Sequence, residues 1–148
     1  MMLTRSALAL ITATLVGAAV PGSSFASTTL RWVERATNEH EVDIAPAGDS
    51  FGDLLVFANP MFDAANAKQV GESNGSCVRT DPGKSWHCAW TMTLAKGQLE
   101  ISGVYPDKGD MELAIIGGSG EYAGARGTLK VHARDASLTS YDFTATLL

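Results

Sequence analysis

Residues 112–134 read ELAIIGGSGEYAGARGTLKVHAR, with five glycines between Gly117 and Gly127 directly after an apolar run. A glycine-rich loop behind a buried strand is one way to cradle a phosphate, but that device needs a helix N-terminus to meet the anion. The residues after the glycines instead alternate Leu129, Val131 and Ala133 with Thr128, Lys130 and His132, a strand period of two. The Gly-Lys-Ser/Thr ending of a P-loop is also absent. The glycines therefore read as an antiparallel corner, where positive φ and close backbone packing are wanted.

The same period runs through the rest of the chain. No segment sustains a 3.6-residue apolar repeat. Short alternating runs separated by Gly, Pro, Asn and Asp predict strands over Leu30–Ala36, Glu41–Ala45, Asp53–Asn59, Ser76–Thr80, Trp86–Leu94, Gln98–Tyr105, Glu112–Ile116, Thr128–Ala133 and Leu138–Leu147. That pattern is all-β, an antiparallel barrel or sandwich. Strand parity puts Trp86, Cys88, Trp90, Met92 and Leu94 on one face. It likewise groups Leu99, Ile101, Gly103 and Tyr105, and Tyr141, Phe143, Ala145 and Leu147. Such faces suit the interior of a barrel of about eight strands, wide enough for one small ligand.

Residues 1–26 read as a secretory leader: Arg5, an apolar core from Ala7 to Val20, then Ser24-Phe25-Ala26 with small residues at the cleavage positions. The core is shorter than the ~20 residues a membrane span needs, and no later run is longer. Residues 27–148 then form one domain with 10 basic and 16 acidic residues, a net charge of −6. No basic cluster is present to neutralise phosphates, which argues against nucleic acid as a partner. The expected location is secreted or periplasmic.

In an oxidising compartment the segment CVRTDPGKSWHC gains meaning. Asp81-Pro82-Gly83-Lys84 is a turn signal, and a turn centred between Pro82 and Gly83 sets Cys77 opposite Cys88. A disulfide is expected there. The alternative, a metal pair, has only His87 nearby, too few ligands for zinc.

Four polar residues stand on otherwise apolar faces. Glu34 shares parity with Leu30 and Trp32, and an inward carboxyl has its pKa raised unless it is paired. The plain alternative is a strand-end glutamate, solvated or bound to an arginine. Asp53 and Asn59 share parity with Leu55 and Phe57 and so point toward the same interior. Asp53 equally suits hydrogen bonding to a barrel-end turn, and Asn59, beside Pro60, suits an ordinary turn. Tyr105 ends an apolar face, as core, rim or catalyst.

Four segments in order, GDLLVFANPMFD, VGESNGSCV, LEISGVY and LAIIGGSGEYAGARGTLKV, resemble the allene oxide cyclase barrel superfamily, which includes plant allene oxide cyclases and dirigent proteins. The resemblance covers about Asp49 to Val131. It implies an eight-stranded antiparallel β-barrel with a lipocalin-like apolar cavity, usually assembled as a trimer, with no cofactor and no metal. In the cyclases an asparagine after the Gly-Asp-Leu strand holds a water at the epoxide oxygen, which corresponds to Asn59. A first-strand glutamate supports charge delocalisation, corresponding to Glu34, and a cavity tyrosine corresponds to Tyr105. Cys77 matches a cavity-side cysteine, though plant cyclases lack a partner like Cys88. The first strand departs from that pattern: Ala36 stands where a companion asparagine is expected, and no Ser-Pro pair comes after it. In the dirigent branch, acidic groups steer phenoxy-radical coupling or cyclisation of quinone methides. Asp53, Glu121 and the Ala-Arg-Gly arginine, Arg126, resemble its motif residues. Glu121 and Arg126 also fit a simple surface ion pair.

Two functional classes fit these residues. One is a cofactor-free cyclase or isomerase that folds a hydrophobic small molecule into one reactive conformer. The other is a non-catalytic, lipocalin-like binding protein for such a molecule. A trimer or dimer is the expected assembly.

Overall fold

The computed structural model describes residues 27–148. The leader expected over residues 1–26 lies outside the described residues. Nine strands succeed one another in chain order: β1 Thr28–Arg35, β2 Glu39–Val42, β3 Leu54–Asp63, β4 Gln69–Asp81, β5 Ser85–Leu94, β6 Gly97–Pro106, β7 Met111–Gly118, β8 Gly127–Ala133 and β9 Ser140–Leu147. They form one antiparallel sheet, ordered β1-β9-β8-β7-β6-β5-β4-β3-β2 and closed by pairing of β1 with β3. The result is a closed eight-stranded antiparallel barrel, in which β1 and β2 share one position as a split strand.

The split has a clear geometry. β1 pairs with Met61–Asp63 at one end of β3, and β2 pairs with Leu54–Phe57 at the other. Between them the ladder is reduced to one bond, from Ala58 N–H to Asn38 O at 3.0 Å. Pro60 stands two residues later on the same side, where the break leaves its missing N–H without cost. This is why a proline is tolerated inside a barrel strand.

All nine expected strands are present. The largest difference is β4, expected from Ser76 but beginning at Gln69. Its first half, QVGESNGS, has the composition of a loop. The backbone nevertheless pairs with β3 and β5 throughout, because the flanking strands supply ladder partners that override local propensity. Gly75 is required there: a Cβ on it would stand 2.6 Å from the Trp90 backbone.

The glycine corner joins β7 to β8 through a 3₁₀ turn, Gly120–Tyr122. Gly120 and Gly124 adopt φ of 61° and 77°, and a Cβ on Gly118 would meet the Tyr122 carbonyl at 2.5 Å. No helix stands behind the loop to bind an anion, as the strand period of residues 127–133 requires.

Interior and exterior obey the alternation. The barrel is solid at the end where β7 meets the glycine corner, filled by Met61, Met92, Leu99 and Leu129, all fully buried. Among the described residues no helix is long and apolar enough to cross a membrane. Cys77 and Cys88 sit directly opposite on β4 and β5 and are disulfide-bonded. The bond faces inward and both cysteines are buried. Replacing both with alanine is expected to lower unfolding stability by about 2–3 kcal/mol, measured by urea denaturation, with the strand content retained by circular dichroism. An unchanged midpoint would contradict a stabilising cross-link.

Candidate functional site

The opposite end of the barrel is open and holds a cavity of about 400 Å³. Its walls are aromatic: Phe57, Trp86, Trp90, Tyr105, Tyr141 and Phe143. Trp90 packs edge-on to Phe57 and tilted against Phe143, with ring centroids 6.1 and 6.3 Å away. The disulfide forms part of the wall.

Against this apolar lining stands a polar cluster at the split between β1 and β2. Alternation along β1 turns Glu34 inward, next to Tyr141 of β9 and Met61 of β3 in register. Two residues before Met61, β3 presents Asn59, which is fully buried. The Asn59 amide nitrogen donates to Glu39 Oε1 at 2.9 Å and to Glu34 Oε1 at 3.3 Å. Its carbonyl oxygen accepts from the Asn38 backbone N–H at 3.0 Å. Asn59 thus occupies the ladder gap and joins two carboxyl groups. Ser73, its register partner on β4, is also fully buried and places a hydroxyl beside Glu34.

Glu34 is 5% exposed, and its Oε2 has no hydrogen-bond partner in the geometry. Burial is the main force on its acidity, opposed by Ser73, reinforced by the Glu39 charge and again opposed by the Asn59 amide. The net effect pushes the pKa up to about 7. A carboxyl in that state both gives and takes protons near neutrality. Burial, reinforced by the neighbouring Tyr141, raises the Tyr105 phenol strongly, so Tyr105 stays neutral and keeps its O–H proton.

The other expected residues have different surroundings. Asp53 is buried, but its carboxylate accepts from Ile44 N–H and Ser50 N–H, both at 2.8 Å, and from the Ser50 hydroxyl at 3.1 Å. These bonds, from Ser50 and Ile44 first, hold its pKa below the usual range. It ties down the loop before β3 and is not part of the cavity wall. Glu121 and Arg126 lie on the glycine corner, at the solid end of the barrel. Glu121 pairs with Lys96 at 3.0 Å with both side chains exposed, and Arg126 donates to the carbonyls of Ile116 and Ala125. The two do not pair with each other. Glu34, Asn59 and Tyr105 are the expected residues that the fold brings together.

Several participants were not singled out from the sequence. Glu39 and Glu41 line the cavity from β2, and the alternation Glu39-His40-Glu41-Val42 carried that signal. Ser73 was hidden by the loop-like composition of its strand. Arg79 shares parity with Cys77, which made its inward position legible. It is buried at the mouth, with its guanidinium 4.1 Å over the Trp86 ring and ion-paired to Asp49 and Asp107. It therefore fastens two mouth loops. Among the described residues no three His, Cys, Asp or Glu side chains are grouped to hold a metal ion.

Over residues 22–147 the sequence matches the family described as dirigent-like protein. The chain belongs to the dirigent-like family. Solved structures share the dirigent-like barrel. Pyocyanin demethylase aligns at 25% identity and a TM-score of 0.72, over 82% of this chain and 100% of that one. A pterocarpan synthase dirigent protein aligns at 18% identity and 0.71, over 83% and 95%. An exo-specific intermolecular Diels-Alderase aligns at 12% identity and 0.64, over 83% and 98%. At such identities the last two speak to the barrel alone.

The raised acidity constant of Glu34 has a consequence for stability. Folded, Glu34 keeps its proton up to about pH 7, whereas unfolded it loses it near 4.5. Its contribution is complete below pH 4.5 and is lost as pH rises through 7. The charged groups coupled to it are Glu39 on β2 and, when ionised, Tyr105 and Tyr141. Glu34→Gln should therefore gain on the order of 3 kcal/mol relative to wild type between pH 4.5 and 8.5, read by urea unfolding at both pH values. Parallel pH profiles for the two proteins would contradict the assignment.

Proposed function

We propose that this dirigent-like barrel is a cofactor-free cyclase or isomerase that steers ring closure of a hydrophobic small molecule, with Glu34 as its general acid and base. The observation that supports this most directly is a carboxyl, Glu34, buried on the wall of an aromatic cavity, where desolvation pushes its pKa up to about 7. The cavity would restrict a flexible substrate to one folded conformer. For a quinone methide, Glu34 would protonate the carbonyl oxygen, leaving a cationic benzylic carbon. An internal hydroxyl would form the new C–O bond on one face, and its proton would return to the Glu34 carboxylate. Asn59 would hold Glu34 in position, and the Tyr105 hydroxyl would donate a hydrogen bond to the same carbonyl oxygen.

One observation favours the alternative, a non-catalytic lipocalin-like carrier. Asn59 fills the ladder gap between β1 and β2, a structural need that exists without chemistry. The discriminating experiment supplies quinone methides formed in situ from coupled phenols and reads product stereochemistry by chiral chromatography. Wild type should give one enantiomer in excess. Glu34→Gln should lower the rate by about 10²-fold or more and return racemic product. Racemic product from wild type, with ligand still bound, would support the carrier.

Export and assembly belong to the same proposal. The disulfide suits an oxidising compartment, and the leader pattern of residues 1–26 would deliver the chain there. Val42, Val56, Val78 and Val104 expose apolar surface on the outer faces of β2, β3, β4 and β6. Such a face supports a trimer or dimer. Light scattering should give a mass of two or three chains, and Val78→Lys with Val104→Lys should reduce it to one. A monomeric wild type would end this part of the proposal.

A further inference from the structure

Resting on the reading of the cavity as a ligand site, we propose that it selects a planar aromatic cation and rejects carboxylate-bearing molecules of the same shape. The cavity wall contains Glu34, Glu39, Glu41 and Asp107, and no Lys, Arg or His. Asp107 is neutralised by Arg79. Among the described residues Glu39 and Glu41 pair with no basic side chain. The basic side chain nearest in sequence, Arg35, stacks on Phe62 with its guanidinium 3.7 Å from the ring centroid, and bonds to Asn66. The negative charge of the site is therefore uncompensated from within.

The aromatic walls act in the same direction. Six aromatic rings line one space, and ring faces attract cations, as the Arg79 guanidinium over Trp86 does at the mouth. The Phe57–Trp90–Phe143 row favours a flat ligand, and about 400 Å³ accommodates three fused rings. A second, independent observation is the Glu34 Oε2 atom, buried on this wall without a partner. That oxygen suits an occupant that brings a hydrogen-bond donor, and it adds negative charge to the wall once the carboxyl ionises near pH 7. An anionic ligand would instead bring its charge up to a mouth that already holds the unpaired Glu39 and Glu41 carboxylates. The same field would stabilise a cation that develops during a reaction, so binding preference and chemistry share one cause.

Three tricyclic probes of matched shape separate the outcomes: N-methylacridinium, a permanent cation; acridone, neutral; and acridine-9-carboxylate, an anion. Calorimetric titration of the wild-type protein should show the cation binding at least about tenfold more tightly than acridone, with the carboxylate weaker still. The Glu41→Gln variant, altered at an exposed rim position outside the Asn59 hydrogen bonds, should lose about two- to threefold of the cation's advantage over acridone. Acridone or the carboxylate binding as tightly as the cation would overturn the selectivity while leaving the ligand cavity intact. Failure of all three probes to bind would overturn the cavity reading itself, and the selectivity with it.

Discussion

The amide of Asn59 is the contact on which the barrel's closure and its polar cluster both depend. A closed eight-stranded barrel normally satisfies every backbone group by strand pairing. Here the strand beside β3 is broken between Arg35 and Glu39, and the Asn59 side chain supplies a bond across the gap to Asn38. The same amide reaches Glu34 and Glu39, so the repair of the backbone also assembles the polar cluster. One buried group serves two purposes because the break opens onto the cavity.

The barrel divides into a filled end and an open end, and the division assigns roles. Methionines and leucines pack the end near the glycine corner, leaving no room for a ligand. Aromatic residues line the open end, where larger rings leave space between them. Asp53 and Arg79 secure the mouth loops through hydrogen bonds and ion pairs. Their work is to hold the rim, while Glu34, Asn59 and Tyr105 face the space that it encloses.

Much of this was legible in the sequence, for identifiable reasons. Period-two alternation located every strand, and parity correctly turned Glu34, Asn59 and the Trp86–Leu94 row inward. The disulfide came from the symmetry of a single turn. The features that escaped were those set by long-range pairing. β4 looked like a loop up to Gly75, so Ser73 could not be placed beside Glu34. The alternation Glu39-His40-Glu41-Val42 set Glu39 and Glu41 on one face, but that this face meets the cavity depends on β2 continuing the line of β1 after a break. Glu121 and Arg126 matched a motif, but their direction is set by the 3₁₀ turn, which leaves them on the outside of the filled end.

The most direct test of the account is the titration of Glu34 itself, tracked by carbon-detected NMR of its side-chain carboxyl. The midpoint should fall near pH 7, and Glu39→Gln, by removing a neighbouring negative charge, should move it downward. A midpoint at the ordinary glutamate value, about 4.3, would contradict the proposal that Glu34 serves this dirigent-like cavity as acid and base.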